Sequence, residues 1–219
     1  MIKRKLIDKV RSDGYNTILV SACCTLLLFY YKYYLGLAGL CFTVFSIWFF
    51  RDPDRVIPKQ DGIIVSPADG IVVDIEYDVE SPDFDGQKWT RIGIFLRLSD
   101  VHVNRLPIGG QIKEIKYESG KFGFAWGKST HMKNERLAIL INGFIECIVV
   151  QIAGFIARRI VTDIKKGDEL AIGSTYGMIK FGSRVDTYFP SNMVIQIKKY
   201  QTVVAGETII ARQGYDNES

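Results

Sequence analysis

The chain has very little histidine and no paired cysteine. Only His102 and His131 occur among its 219 residues, so a site that relies on imidazole has two candidates. Four cysteines are too few to staple a chain of this length. Cys23, Cys24 and Cys41 lie inside apolar runs and Cys147 stands alone. No CxxC pair and no Cys/His cluster is present, which argues against a structural zinc site. A G-x-S-x-G elbow is missing too. Excess charge is confined to one end. The formal net charge is +4. Residues 1–14 hold five basic side chains against two acidic ones, Lys32 adds one more, and residues 51–219 are neutral. A neutral body argues against a basic nucleic-acid face, and the chain is expected to bind no nucleic acid.

The uncharged stretches are where the apolar residues concentrate. One run covers 17–31, Lys32 interrupts it, and a second covers 33–50 before Arg51. Each is near or below the roughly 17–25 residues that cross a bilayer core. A single long span would bury Lys32 at a cost of a few kcal/mol, whereas two short helices place it at a turn. Tyr30, Tyr31, Tyr33 and Tyr34 flank that turn, and such rings suit a membrane interface. The second run ends in Ser46-Ile47-Trp48-Phe49-Phe50-Arg51-Asp52-Pro53, which offers no small-residue site for removal of a signal peptide. Residues 1–50 therefore read as a retained membrane-anchoring segment, a hairpin of helices 17–31 and 33–50 that crosses the membrane or re-enters it. The basic N-terminus places both ends of the hairpin in the cytoplasm, and the expected location is the inner membrane with residues 51–219 on its cytoplasmic face.

Beyond Arg51 the pattern alternates at period two. Apolar runs at 62–65, 70–77, 91–98, 111–117, 137–142, 145–152, 155–162, 177–188 and 193–199 are separated by Gly, Asp and Pro turns. Helical periodicity is absent there. Residues 51–219 are therefore expected to form a mainly β domain, a β-sandwich or barrel-like body, behind an N-terminal hydrophobic helical hairpin. The longest irregular stretches, 78–89 and 119–135, are the candidate active-site loops.

Chemistry has few places to reside. His102 sits in Leu98-Ser99-Asp100-Val101-His102-Val103-Asn104-Arg105, a polar cluster between apolar strands, whereas His131 falls in a Lys-rich loop and reads as exposed. Gly-Ser occurs twice near the C-terminus, at Gly173-Ser174 and Gly182-Ser183. A serine after glycine can attack the preceding carbonyl and turn the amide into an ester, because glycine leaves the approach open.

Four segments in one order carry a specific resemblance: Phe49-Phe50-Arg51-Asp52-Pro53, Ser66-Pro67-Ala68-Asp69-Gly70, Asp100-Val101-His102-Val103-Asn104-Arg105, and Gly177-Met178-Ile179-Lys180-Phe181-Gly182-Ser183-Arg184-Val185-Asp186. From about residue 45 to 200 the chain resembles the phosphatidylserine decarboxylases, above all their short prokaryotic branch. The resemblance implies a proenzyme that cuts itself at Gly182–Ser183. A β chain of 1–182 would keep the anchor, and an α chain of 183–219 would begin with a pyruvoyl group derived from Ser183. Many members carry Leu-Gly-Ser-Thr at the cut. Ile172-Gly173-Ser174-Thr175 is the nearer literal match, but the longer context favours Ser183.

The resemblance also implies roles for the motif residues. Asp69 and His102 would serve as base and orienter, or the reverse, when Ser183 attacks Gly182. The pyruvoyl ketone would then form a Schiff base with phosphatidylserine, accept the electrons released with CO2 and yield phosphatidylethanolamine, with His102 returning the proton. The longer branch has a second histidine three residues after the first, and here that position is Arg105. The implied partners are phosphatidylserine in the bilayer and the two chains of one precursor, and the chain is compatible with a homo-oligomer. No metal is implied. Two other readings share the composition: a membrane-anchored lipoyl-like β-sandwich adaptor without catalysis, and a hydrolase using unmodified Ser183.

Overall fold

A computed structural model describes residues 9–84, 87–120, 134–154, 160–180 and 183–214. It divides into two compact units, residues 1–54 and 55–219. His131, Phe181 and Gly182, and most of the loop expected at 119–135, lie outside the described residues.

The first unit is a helical hairpin closed by a two-residue ladder. β1 (Lys9–Val10) and a 3-10 turn (Ser12–Gly14) lead into α1 (Tyr15–Tyr31), followed by α2 (Tyr33–Phe49) and β2 (Arg51–Asp52). β1 pairs antiparallel with β2. The two helices break where the sequence places the break. Lys32 is extended, at φ −154 and ψ 127, and its N–H closes α1 on the Leu28 carbonyl. Small and hydroxylated residues line the seam. Thr25 and Thr43 hydrogen bond each other at 3.1 Å. Their hydroxyls also reach back to the Ser21 and Gly39 carbonyls, so neither is left unpaired in apolar surroundings. A Cβ on Gly36 would fall 2.2 Å from the Phe29 ring, so the helices pack there at glycine distance. Leu19, Leu26, Leu27, Phe42, Val44 and Ile47 point outward and are exposed. By length and composition Ser12–Tyr31 is apolar enough to cross a membrane, although seventeen helical residues rise only about 25 Å.

The second unit is built from strands. In chain order they are β3 (Ile63–Val65), β4 (Gly70–Val79), β5 (Trp89–Leu96), β6 (Val103–Arg105), β7 (Gly110–Glu118), β8 (Arg136–Asn142), β9 (Glu146–Ala153) and β10 (Ile160–Thr162). They continue with β11 (Glu169–Leu170), β12 (Thr175–Ile179), β13 (Ser183–Pro190), β14 (Met193–Ile195), β15 (Thr202–Val203) and β16 (Ile209–Gln213). An eight-stranded sheet runs β11-β7-β8-β9-β13-β5-β4-β15, and two three-stranded sheets run β10-β12-β6 and β14-β16-β3. Every pairing is antiparallel.

Alternation decides which side chains meet. Ile92, Ile94 and Leu96 of β5, Cys147 and Val149 of β9, and Val185 and Phe189 of β13 share one buried cluster with Ile64, Tyr176, Ile179 and Ile210 of the small sheets. The small sheets thus cover one face of the large sheet as a sandwich, as the sequence pattern leads one to expect. Two differences stand out. The apolar run 177–188 is not one strand: β12 ends at Ile179 and β13 begins at Ser183, in different sheets. The short strands β6, β11, β15 and β16 carry too few alternating residues to be read from the sequence.

The opposite face of β4, β5 and β13 carries buried charge. Arg184 donates through Nε to Asp186 and through Nη1 to Asp74 Oδ2 at 2.7 Å. Asp186 also accepts from Arg91 at 3.0 Å, and Arg91 reaches Glu76 at 2.8 Å. The guanidinium of Arg184 lies against Gly93, where a Cβ would come 2.2 Å from Nη2. Burial raises the Asp74 pKa, but the hydrogen bond and charge of Arg184, with Arg91, outweigh it and hold Asp74 below its ordinary 3.8.

Two outcomes follow from these contacts. Gly70→Ala would place a Cβ 2.2 Å from the Phe95 carbonyl oxygen at a φ of +157. It should cost about 2–4 kcal/mol of stability in urea denaturation, because the obstacle is backbone and cannot yield. Asp74 has a folded pKa below its unfolded one, so its contribution is complete above 3.8 and is lost as pH falls through the lower folded value. Asp74→Asn should therefore be less stable than the parent by about 1–3 kcal/mol at neutral pH. The gap should close in acid when both are titrated by urea denaturation at stepped pH.

Candidate active site

The three residues singled out in the sequence lie at one end of the sandwich, on three different elements. Asp69 immediately precedes β4, His102 immediately precedes β6 and Ser183 opens β13. β4 and β13 run in the same direction on either side of β5, with Ile71, Phe95 and Arg184 in one row. Asp69 and Ser183 therefore stand at the same edge, two strand spacings or about 10 Å apart.

His102 reaches this edge from the covering sheet. The Arg105 N–H donates to the Pro67 carbonyl at 2.9 Å, which lays the end of β6 along the 66–69 turn. The Ile179 N–H donates to the His102 carbonyl at 3.3 Å, which ties the histidine to the last residue of β12, just ahead of the crossing to Ser183. His102 is fully buried, and its Nδ1 lies 2.9 Å from the Asp100 carbonyl oxygen. That contact directs Nε2 away from the 99–101 backbone and fixes Nδ1 as the protonated nitrogen whenever the ring is neutral.

Asp69 is held on both oxygens. Oδ2 accepts from Arg55 Nη2 at 2.8 Å, and Oδ1 accepts from the Ala205 N–H at 2.7 Å. Arg55 was not visible as a partner in the sequence. Ser66 secures the same turn through its hydroxyl on the Ala68 carbonyl at 2.7 Å.

Ser183 is fully buried, and its Oγ has no hydrogen-bond partner among the described residues. It pairs with Leu96 on one side and Ala153 on the other. Alternation along β13 puts Ser183 on the face of Val185 and Phe189, toward the covering sheets. Around it lies a polar group that the sequence did not reveal. Gln151, opposite Val185 on β9, donates to Asn104 Oδ1 at 2.7 Å. Asn104 Nδ2 and Gln151 Oε1 have no further partner among the described residues, so the amide pair retains one spare donor and one spare acceptor whichever way the amides are assigned. Buried polar atoms left unpaired cost about 1–3 kcal/mol each. Three such atoms, on Asn104, Gln151 and Ser183, belong to these segments, and such atoms in a native interior call for a functional or solvent partner. Only the Asp100-Val101-His102-Val103-Asn104 motif hinted at Asn104; Gln151 sits in an apolar run and left no signal.

Ser174, the other serine after glycine, occupies a different place. Gly173 turns at φ +77, its N–H donates to the Leu106 carbonyl at 2.9 Å, and Ser174 accepts from the Leu106 N–H at 2.8 Å. Thr175 stands opposite Arg105, so Ser174 lies at the far end of β6, about 10 Å or more from His102. Among the described residues no group of three His, Cys, Asp or Glu side chains could hold a metal ion.

Comparison with known proteins places the chain in a family. Residues 42–211 match the family model described as phosphatidylserine decarboxylase. Proteins named phosphatidylserine decarboxylase proenzyme are similar along nearly their whole length. That of Ehrlichia chaffeensis is 41% identical over 208 residues, covering 94% of this chain and 92% of the relative. That of Rickettsia rickettsii (strain Sheila Smith) is 41% identical over 213 residues, covering 95% and 92%. That of Anaplasma phagocytophilum is 39% identical over 205 residues, covering 92% and 90%. The chain belongs to the phosphatidylserine decarboxylase family.

Proposed function

We propose that the chain decarboxylates phosphatidylserine to phosphatidylethanolamine with a pyruvoyl group that it makes from Ser183 by cutting itself at Gly182–Ser183. The observation that carries this reading is the buried hydroxyl of Ser183 at the start of a central strand, without a hydrogen-bond partner among the described residues.

The roles follow from the spacing. Asp69 is about two strands away from Ser183 and both its oxygens are engaged, so it does not take the serine proton itself. It secures the 66–69 turn, along which the end of β6 is paired. His102, with Nδ1 on the Asp100 carbonyl, presents Nε2 as the base. The Ser183 Oγ loses its proton to His102 and bonds to the Gly182 carbonyl carbon, and the Gly182–Ser183 C–N bond breaks to leave an ester and a free amine. Loss of the Ser183 α-proton expels Gly182 as a carboxylate and leaves a dehydroalanine. Addition of water and departure of ammonia then leave the pyruvoyl group.

Ser183 suits that fate. Conversion removes a buried hydroxyl that has no partner, and with it the 1–3 kcal/mol that such a group costs. Once formed, the pyruvoyl carbonyl supplies the electron sink for loss of CO2, work done elsewhere by pyridoxal phosphate. The chain's own part is to hold the headgroup in a water-poor interior and to return a proton from His102. The spare donor and acceptor of Asn104 and Gln151 are placed to bind headgroup polar atoms.

The two pieces, 1–182 and 183–219, remain one body because β13 through β16 are shared among the sheets. The exposed apolar helices fit attachment to a bilayer, where the substrate resides. The basic N-terminus favours entry from the cytoplasmic face of the inner membrane.

The intact mass of the purified protein tests the reading. Two chains divided at 182/183 are expected, the smaller lighter by one ammonia than its serine-terminated form. Ser183→Ala should abolish both cutting and decarboxylation, and Ser174→Ala should spare both. His102→Ala should slow cutting by about 10²-fold or more, as for loss of a general base. A wild-type chain that folds and stays uncut would return the adaptor or hydrolase readings to the front.

A further inference from the structure

We propose that Arg184 is a positioning residue that anchors the new chain terminus at residue 183 through the buried ion-pair ladder on the outer face of β13. The inference rests on the cut at Gly182–Ser183.

The ladder straddles the two pieces. Asp74, Glu76, Arg91 and Gly93 belong to residues 1–182, while Arg184 and Asp186 belong to residues 183–219. Arg184 thus crosses β5 to reach Asp74 on β4 at 2.7 Å, and the bond joins the pieces one residue from the cut. Asp186 braces the same guanidinium from within the small piece, and Arg91 braces Asp186 from the large one.

Cutting changes what residue 183 needs. Before the cut it is held covalently on both sides. Afterward it begins a strand, and strand ends fray. Conversion to the pyruvoyl also removes the nitrogen of residue 183, so that unit has no N–H with which to pair a neighbouring strand. The first side chain able to anchor it is the next one. Because successive side chains alternate across the sheet, Arg184 grips the outer face while residue 183 faces the interior. The grip therefore fixes the terminus without occupying the site.

Stability alone does not account for the ladder. Well-packed apolar residues often match or exceed a buried ion pair in stability. What arginine adds is a rigid planar fork that fixes geometry. It lies on Gly93, a position at which any Cβ would displace it. A misplacement of about 1 Å at a reacting group can cost on the order of 10²-fold in rate.

The test compares wild type and Arg184→Lys, each in the self-cut form and in the uncut Ser183→Ala background. Lysine keeps the charge and loses the fork. In the cut form we expect kcat to fall about tenfold with KM unchanged, and amide hydrogen exchange at residues 184–186 to quicken. In the uncut background exchange there should stay at the level of its Arg184 parent. If kcat stays within about twofold of wild type, or if exchange quickens equally in cut and uncut chains, Arg184 is an ordinary structural residue and the proposal falls. If Arg184→Lys fails to fold, Asp74→Asn, which leaves Arg184 its bond to Asp186, is read by the same criteria. A wild-type chain not cut at 182/183 overturns the cleavage reading itself, and its mass shows this independently of any variant.

Discussion

The structure depends on one strand being paired along both of its edges. β13 lies between β9 and β5, with residues 183–188 opposite partners on each side. A strand in that position cannot leave without breaking two ladders. Its first residue is Ser183, which is paired with Leu96 on one side and Ala153 on the other. A chain proposed to sever its own backbone needs that arrangement. The proposed cut falls between β12 in one sheet and β13 in another.

The two faces of β13 have separate duties as a consequence of strand geometry. One face puts Ser183, Val185 and Phe189 against the covering sheets, where apolar burial and a few unpaired polar atoms make a water-poor interior. The other places Arg184, Asp186 and Tyr188 among charged partners from β4 and β5. The ion pairs on that face shift the balance of Asp74 toward the carboxylate. Burial works the other way at Asp83, beside Arg136 on the same outer face, and raises its pKa. The inner and outer faces thus receive adjacent side chains, 183 and 184, without sharing space.

The apolar hairpin is stabilised by different means. Its helices meet through glycine and hydroxyl positions rather than through large interdigitating side chains, and their big apolar residues face outward. In water that would leave a large exposed apolar surface; in lipid it is the expected arrangement, since helix contact there is favoured by close backbone approach and satisfied hydroxyls. A diacyl substrate stays in the same medium, so a chain that acts on it gains from an anchor of this kind.

Much of this was legible in the sequence, because it rests on local pattern. Charge partition separated an anchor from a neutral body. Lys32 between two uncharged runs marked the helix break, alternation at period two marked the large sheet, and the motifs holding Asp69, His102 and Ser183 marked the family. The rest depends on residues far apart in the chain. The run 177–188 reads as one strand, because periodicity carries no information about which sheet a residue joins; only pairing with β6 on one side and with β5 and β9 on the other divides it. Asp69 takes Arg55 and Ala205 as partners, Gln151 meets Asn104, and Arg184 crosses Gly93 to Asp74. Each of these contacts spans from 14 to 136 positions of sequence. Local periodicity determines which way a side chain faces. What it faces is set by the order in which the strands pack.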